Sequence, residues 1–349
     1  MPPVKFGFCV PIFAAPGLRI FRTPSYPVLD TARTMHLARQ AEALGYDSLW
    51  VADHLMRGKD DAILEGWTVL AALAGCTSRV ALGLIHQTHF FRSPALVAKM
   101  VVTLDRISEG RFTYFLDCGN QRDEYLAYGL PWDDDIDERV AQMVEGLELT
   151  LALWKSREPV TFAGEHFQLH NAVCNPGPVQ QPHPPIWFGG VNPAMLRACA
   201  RYGQGWNTTP ASVQQVRERI GEVSAACAAV GRSPDELEKS LEMQILIAPD
   251  HETVRQRLQT IKDLDPSGHV PVADPSLQAF LDGETGAIRD MQMQKVAIIG
   301  TPEEVRQRIQ EYIDAGISHF MLWFLDVPDD AGMKLFAERV LPSFAASRA

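Results

Sequence analysis

Three short polar clusters each follow directly on an apolar run: Asp53-His54, His86-Gln87-Thr88-His89 and Asp117-Cys118-Gly119-Asn120. An imidazole titrates at about pH 6.5 when unperturbed, so His54 is a candidate general base or proton donor, although a strand-end pair with Asp53 is the plainer reading. Asp117 follows Phe115-Leu116, where a carboxylate is expensive to bury unless something pairs with it. It is therefore either solvated at a rim or at work. His86 and His89 have no nearby carboxylate to complete a metal set, and no metal is expected. Cys118 reads as a small buried hydrophobe, because no partner spacing supports nucleophilic chemistry. Gly189-Gly190 separates an apolar run from a helix start at Asn192-Pro193, which can leave backbone amides free to cradle a phosphate. No G-x-G-x-x-G or Walker pattern occurs.

These clusters need a scaffold that gathers them. β-rich apolar runs at 4–10, 48–52, 80–85, 112–116, 186–188, 206–208, 241–248 and 320–324 alternate with helical patterns at 28–44, 66–76, 94–107, 139–154, 193–202, 213–230, 302–315 and 332–344. About eight strands alternating with helices predict an α/β fold, a (β/α)8 TIM barrel, whose chemistry lies where strands end. The first run ends in apolar Cys9 to Phe13, so one side of that face is greasy and another titratable. A flat aromatic cofactor with a polar edge suits such a mouth. A barrel takes about 250 residues, so the single domain over 1–349 is expected to carry insertions at about 157–185 and 250–297. Long loops of this kind often serve as lids, and 265–290 is the candidate. Trp187, Trp206, Phe13, Phe90 and Phe91 are candidate pocket walls, with His86, His89 and Asp117 as a polar handle.

Composition narrows the partners. A chain of 349 residues, 46% hydrophobic, can bury a large core, and 32 Lys+Arg against 43 Asp+Glu give a formal charge of -11. Nucleic acid and membrane surfaces are not expected partners. The six cysteines are scattered without a C-x-x-C pair, so a reducing cytoplasm is the expected location. Pro11 and Pro16 interrupt the apolar N-terminal stretch, which reads as a first strand and not a signal sequence.

The segments AEALGYDSLWVADHL, EGWTVLAALAGCTSRVALGL, RSPALVAKMVVTLDRISEGRF, EYLAYGLPW, CNPGPVQQPHPPIWFGG, ARYGQGWN and GTPEEVRQRIQEYIDAGISHFML resemble the bacterial luciferase-like family of flavin- or deazaflavin-dependent oxidoreductases over nearly the whole chain. The resemblance implies a (β/α)8 barrel, commonly a homodimer, with an isoalloxazine ring in the mouth. It puts His54 on the family's second-strand histidine. Gly83 to His86 falls on a bulge that often holds a non-prolyl cis peptide, so Ile85 and His86 would back the ring. Gly189, Gly190 and Val191 fall on the phosphate turn, and Cys118 and Gly119 on the fourth-strand cofactor turn. The chain departs from the pattern there: many relatives have Gly-x-Gly where this one has Asp117-Cys118-Gly119. Asp117 stands at luciferase's reactive-face cysteine and Cys118 at its phosphate-binding arginine, and Val191-Asn192 follows Gly190 in place of the frequent serine.

The leading functional expectation is a monooxygenase using reduced FMN and O2 on a small organic substrate, with reduced flavin supplied by a separate NAD(P)H:flavin reductase. His54 would be its base or donor, and Asp117 would orient His54 or bind a polar substrate group. Hydride transfer with the deazaflavin coenzyme F420 is the second expectation. A flavin-binding protein without turnover is the third.

Overall fold

Why eight short segments become strands is visible in their neighbours. In the computed structural model, which describes residues 3–17, 25–264 and 274–347, the strands are β1 Lys5–Cys9, β2 Ser48–Ala52, β3 Ala81–Ile85, β4 Phe112–Asp117, β5 Ile186–Gly189, β6 Gly205–Thr208, β7 Glu238–Ile247 and β8 His319–Phe324. All pair in parallel with their sequence neighbours, and β8 returns to β1 in the register Lys5↔His319 to Phe8↔Leu322, which closes the barrel. Most of these residues are buried on both faces, as parallel strands under helices must be.

Helices return the chain between strands, and several start on a side chain that satisfies free amides. Asp30 accepts from Arg33 at the head of Thr31–Ala43, Glu65 from Trp67 and Thr68 at the head of Gly66–Cys76, and Asn192 from Ala194 and Met195 at the head of Pro193–Tyr202. At Pro302–Asp314, Glu304 reaches back to the amide of Thr301 at 2.9 Å.

The barrel's lower half is filled by two indoles. Trp50 and Trp187 lie 5.2 Å apart between ring centroids, and three strand glycines make room for them. A Cβ on Gly83 would stand 2.2 Å from the Trp50 ring, one on Gly7 2.6 Å from its nitrogen, and one on Gly205 2.3 Å from Trp187. Trp187 is thus interior filling and not a pocket wall. A polar chain crosses this floor: Trp50 Nε1 donates to Ser48 Oγ at 2.8 Å, Ser48 meets His319 Nε2 at 2.8 Å, and His319 Nδ1 meets Glu238 at 2.7 Å. Lys5 closes it on Glu238 at 2.9 Å. Lys5, Ser48, Glu238 and His319 are each the first residue of their strand, on the face a barrel uses for stability.

The two insertion regions hold more structure than loops. Val160–Ala163 and Gln168–Ala172 form an antiparallel hairpin, whose turn amides at Glu165, His166 and Phe167 all donate to Glu145. The region 250–297 contains the helices His251–Leu264 and Pro275–Leu281, and after it Ala297–Gly300 extends the sheet beside β7. Val254, Leu258, Ile261, Leu277, Phe280 and Ile288 form their own apolar cluster against this strand. The proposed lid at 265–290 therefore divides: 265–273 lies outside the described residues, and from Asp274 onward the chain is packed down. A strongly polar outer face hid the helical spacing of Val254, Leu258 and Ile261. Among the described residues, no helix is long and apolar enough to cross a membrane.

Candidate active site

His54 leaves the end of β2 and enters a cavity of about 300 Å³ at the barrel mouth, bordered also by Phe13, Ile85, His86, Glu242 and Trp323. Its Nδ1 lies 3.0 Å from Glu124 Oε2, and its Nε2 lies 3.4 Å from Arg57 Nη2. A guanidinium only donates, so Nε2 is the acceptor and Nδ1 carries the proton given to Glu124. This pairing sets the Nε2 lone pair on the cavity side, where Arg57, another wall residue, donates to it over a long 3.4 Å. Asp53, its sequence neighbour, turns away into a bidentate pair with Arg92 at 2.9 and 3.0 Å and accepts from the Thr88 amide. That buried pair ties β2 to the segment after β3.

At the end of β3 the Ile85–His86 peptide is cis, and His86 stands between two acids. Its Nδ1 is 3.6 Å from Asp117 Oδ2 and its Nε2 3.7 Å from Glu242 Oε2, with the ring against Phe115 at 4.8 Å. Glu242 is fully buried on β7. Burial pushes its carboxyl above the ordinary range, against the opposing pull of His86 and of the bond from Trp323 Nε1 at 2.5 Å. His86 Nε2 and Asn207 Oδ1 are buried polar atoms without a hydrogen-bond partner among the described residues.

Of the residues singled out in sequence, His54, Ile85, His86, Asn120 and Phe13 line this cavity. Asp117 reaches it through His86 and accepts from the Gly119 amide at 2.7 Å. Its expected alternative of orienting His54 is corrected, because Glu124 holds that position. Cys118 is buried behind the rim, its thiol pushed up to about 12 by burial and then by Asp117. Gly119 has φ +79, and a Cβ there would meet Tyr125 Oη at 2.1 Å. Gly189, Gly190 and Val191 lie off the cavity wall. A Cβ on Gly189 would stand 3.7 Å from Asp117 Oδ2, which places the acid beside this turn.

Several other readings are corrected. His89 is fully buried against Phe167 and Gly146, its pKa held down to about 4 by desolvation, so it is neutral core and no substrate handle. Trp206 is buried and donates to the Gly190 carbonyl. Phe90 and Phe91 pack on Tyr125. Phe13 alone of the five expected wall aromatics lines the cavity.

Sequence reading missed Glu124, Arg57, Glu242 and Trp323. Glu242 had a usable signal, a carboxylate set between the apolar residues Leu241 and Met243 of a strand. Glu124 had none, since only the helix Arg122–Ala127 brings it back over β2.

The comparisons with known proteins agree with this architecture. The luciferase-like monooxygenase family matches residues 5–319. The phthiodiolone/phenolphthiodiolone dimycocerosates ketoreductase of Mycobacterium bovis is 29% identical, covering 81% of this chain and 84% of its own. The F420-dependent glucose-6-phosphate dehydrogenase of Amycolatopsis mediterranei is 24% identical, covering 88% and 93%. Among solved structures, the monooxygenase RslO1 of Streptomyces bottropensis is similar at a TM-score of 0.75 and 25% identity, covering 97% and 99%. The closed parallel barrel, the mouth bordered by strand ends and a match over residues 5–319 make this chain an oxidoreductase of the luciferase-like monooxygenase family.

Proposed function

We propose that the protein transfers a hydride between the deazaflavin coenzyme F420 and an alcohol–carbonyl substrate pair. The observation that carries this reading is the His54 Nε2 lone pair, fixed toward the mouth by the Nδ1–H bond to Glu124. Oxidising an alcohol requires a base for the hydroxyl proton, and a carboxylate behind the imidazole stabilises the cation that results. Two relatives named as a dehydrogenase and a ketoreductase support the same chemistry.

The residues fit a flat tricycle. The cavity has aromatic Phe13 and Trp323 in its wall, the Ile85–His86 edge on one side and a buried polar atom without a hydrogen-bond partner among the described residues at His86 Nε2. Ile85, His86 and Glu242 would hold the ring, and Gly189, Gly190 and Val191 its phosphate end. Asn192 Oδ1 already takes the amides of Ala194 and Met195, so a phosphate there would meet amides upstream of them. When bound, F420 supplies hydride exchange. His54 takes the proton, Glu124 sets its tautomer, and the apolar walls of Phe13, Ile85 and Trp323 limit the water around the exchange.

A second reading, monooxygenation with reduced FMN and O2 and a separate reductase, is supported by the likeness to the Streptomyces monooxygenase. Titration of the purified protein separates them. Tight F420 binding with oxygen-independent turnover supports the first; turnover that requires reduced FMN and consumes O2 overturns it in favour of the second. We also propose a homodimer through the face of Gly66–Cys76 and Pro94–Ile107, where Leu96 and Ile107 are 54% and 50% exposed beside an apolar groove. Light scattering at micromolar concentration tests it.

A further inference from the structure

We propose that Arg57 is an oxyanion subsite, at which a carboxylate or phosphate group of the substrate docks and thereby uncovers His54. It rests on the hydride-transfer reading only for the use made of His54. Arg57 and Gln121 stand in the wall of two cavities at once: the mouth of about 300 Å³ and an outer one of about 700 Å³ that Lys59, Asp60, Asp61 and Asp123 also border. Other half-buried or buried arginines are well matched, whether by carboxylates, as Arg92 is by Asp53 at 2.9 Å and Arg257 by Asp326 at 2.8 Å, or by carbonyls, as Arg139 is by Asp133 and Arg111 by Ser108 and Val80. Arg57 makes no direct ion pair or carbonyl bond among the described residues, although the charges of Glu124 and Glu242 act on it from farther off. Its hydrogen-bond partner there is His54 Nε2 at 3.4 Å, a long contact for a group with five N–H donors.

A half-buried guanidinium with unused donors facing two cavities is suited to a planar two-oxygen anion. The acids of the outer cavity repel a polyanion, so the ligand carries a single anionic head on an otherwise neutral body. Docking that head draws Nη2 away from His54. The lone pair to which Arg57 donates then becomes available to the substrate hydroxyl, so the base is exposed only when a correct substrate is in place.

Calorimetric titration of the full chain with benzoate, inorganic phosphate and neutral benzamide tests this. The expected result is binding of benzoate, phosphate or both, but not of benzamide. Arg57→Gln should weaken it by about tenfold or more, Arg57→Lys by less, and Lys59→Gln by about twofold at most. Circular dichroism and melting of each variant confirm the fold. Binding of neither anion by the wild type, equal affinity in Arg57→Gln, or equal losses in Arg57→Gln and Lys59→Gln overturns the proposal. These outcomes stand apart from the coenzyme question, since failure of the wild type to bind F420 sinks the hydride reading and leaves the anion titration unchanged.

Discussion

Glu124 Oε2 lies 3.0 Å from His54 Nδ1 although 70 residues separate them in sequence. The carboxylate fixes which nitrogen carries the proton and steadies the positive charge that forms when the other nitrogen accepts one.

Glu124→Gln keeps an acceptor for Nδ1–H but removes the charge, so kcat should fall by roughly 10- to 100-fold with little change in KM, while His54→Ala should cost about 100-fold or more. Steady-state rates of coenzyme reduction check both. Wild-type kcat in Glu124→Gln would mean that the carboxylate only packs against the ring.

The indole pair in the barrel floor makes a stability prediction. A Cβ on Gly83 would lie 2.2 Å from Trp50, and the ring cannot simply turn away because its nitrogen is bonded to Ser48. Gly83→Ala should destabilise by about 1–3 kcal/mol, as overpacking of a filled core does. Combining it with Trp50→Phe should cost less than the sum of the two single changes in urea unfolding, since the smaller ring leaves room for the methyl group. Strict additivity would show that the barrel relaxes elsewhere.

What the sequence made legible follows from range. Strand and helix boundaries such as Ser48–Ala52, Gly66–Cys76 and Pro94–Ile107 are local signals, and the structure reproduces them. His54 and His86 were found because a barrel sends strand-end residues to one face. Pairings were not legible, because they depend on where distant elements return. Asp53 looked like a partner for His54 and instead holds Arg92, whereas His54's actual partner sits on the short helix Arg122–Ala127, which no pattern announced. His89 shows the opposite failure: its position after a strand suggested chemistry, but helix Ile136–Lys155, through Gly146, seals it into the core.

That burial gives His89 a thermodynamic signature. The folded protein holds its pKa down to about 4, against about 6.5 in the unfolded chain. Protons therefore bind the unfolded state preferentially between those values. The stabilisation is complete above pH 6.5 and is lost as pH falls toward 4, up to about 3 kcal/mol. His89→Gln should lose some packing at pH 7 but show a flatter stability profile between pH 6.5 and 4. Parallel profiles for the two proteins would place the acid sensitivity in another group.

Glu238 titrates in a lower window. Burial alone would raise its carboxyl, but the bond and charge of His319 and the ion pair with Lys5 outweigh it and bring the pKa down to about 2. An acid held below its unfolded value contributes stability above that value, near pH 4.5, and loses it as pH falls toward 2. The window lies below that of His89, so the two are separable in one titration series. Because the Glu238 side chain is 24% exposed, solvent screening trims the contribution to about 2–3 kcal/mol at pH 7. Glu238→Gln retains an acceptor for His319 but not the charge, so urea unfolding should show the variant less stable by about that amount at pH 7 and progressively closer to wild type from pH 4.5 downward. A constant difference across the whole range would mean that the floor chain Trp50–Ser48–His319–Glu238 stabilises the barrel through shape and hydrogen bonding, with the charge of Glu238 contributing nothing.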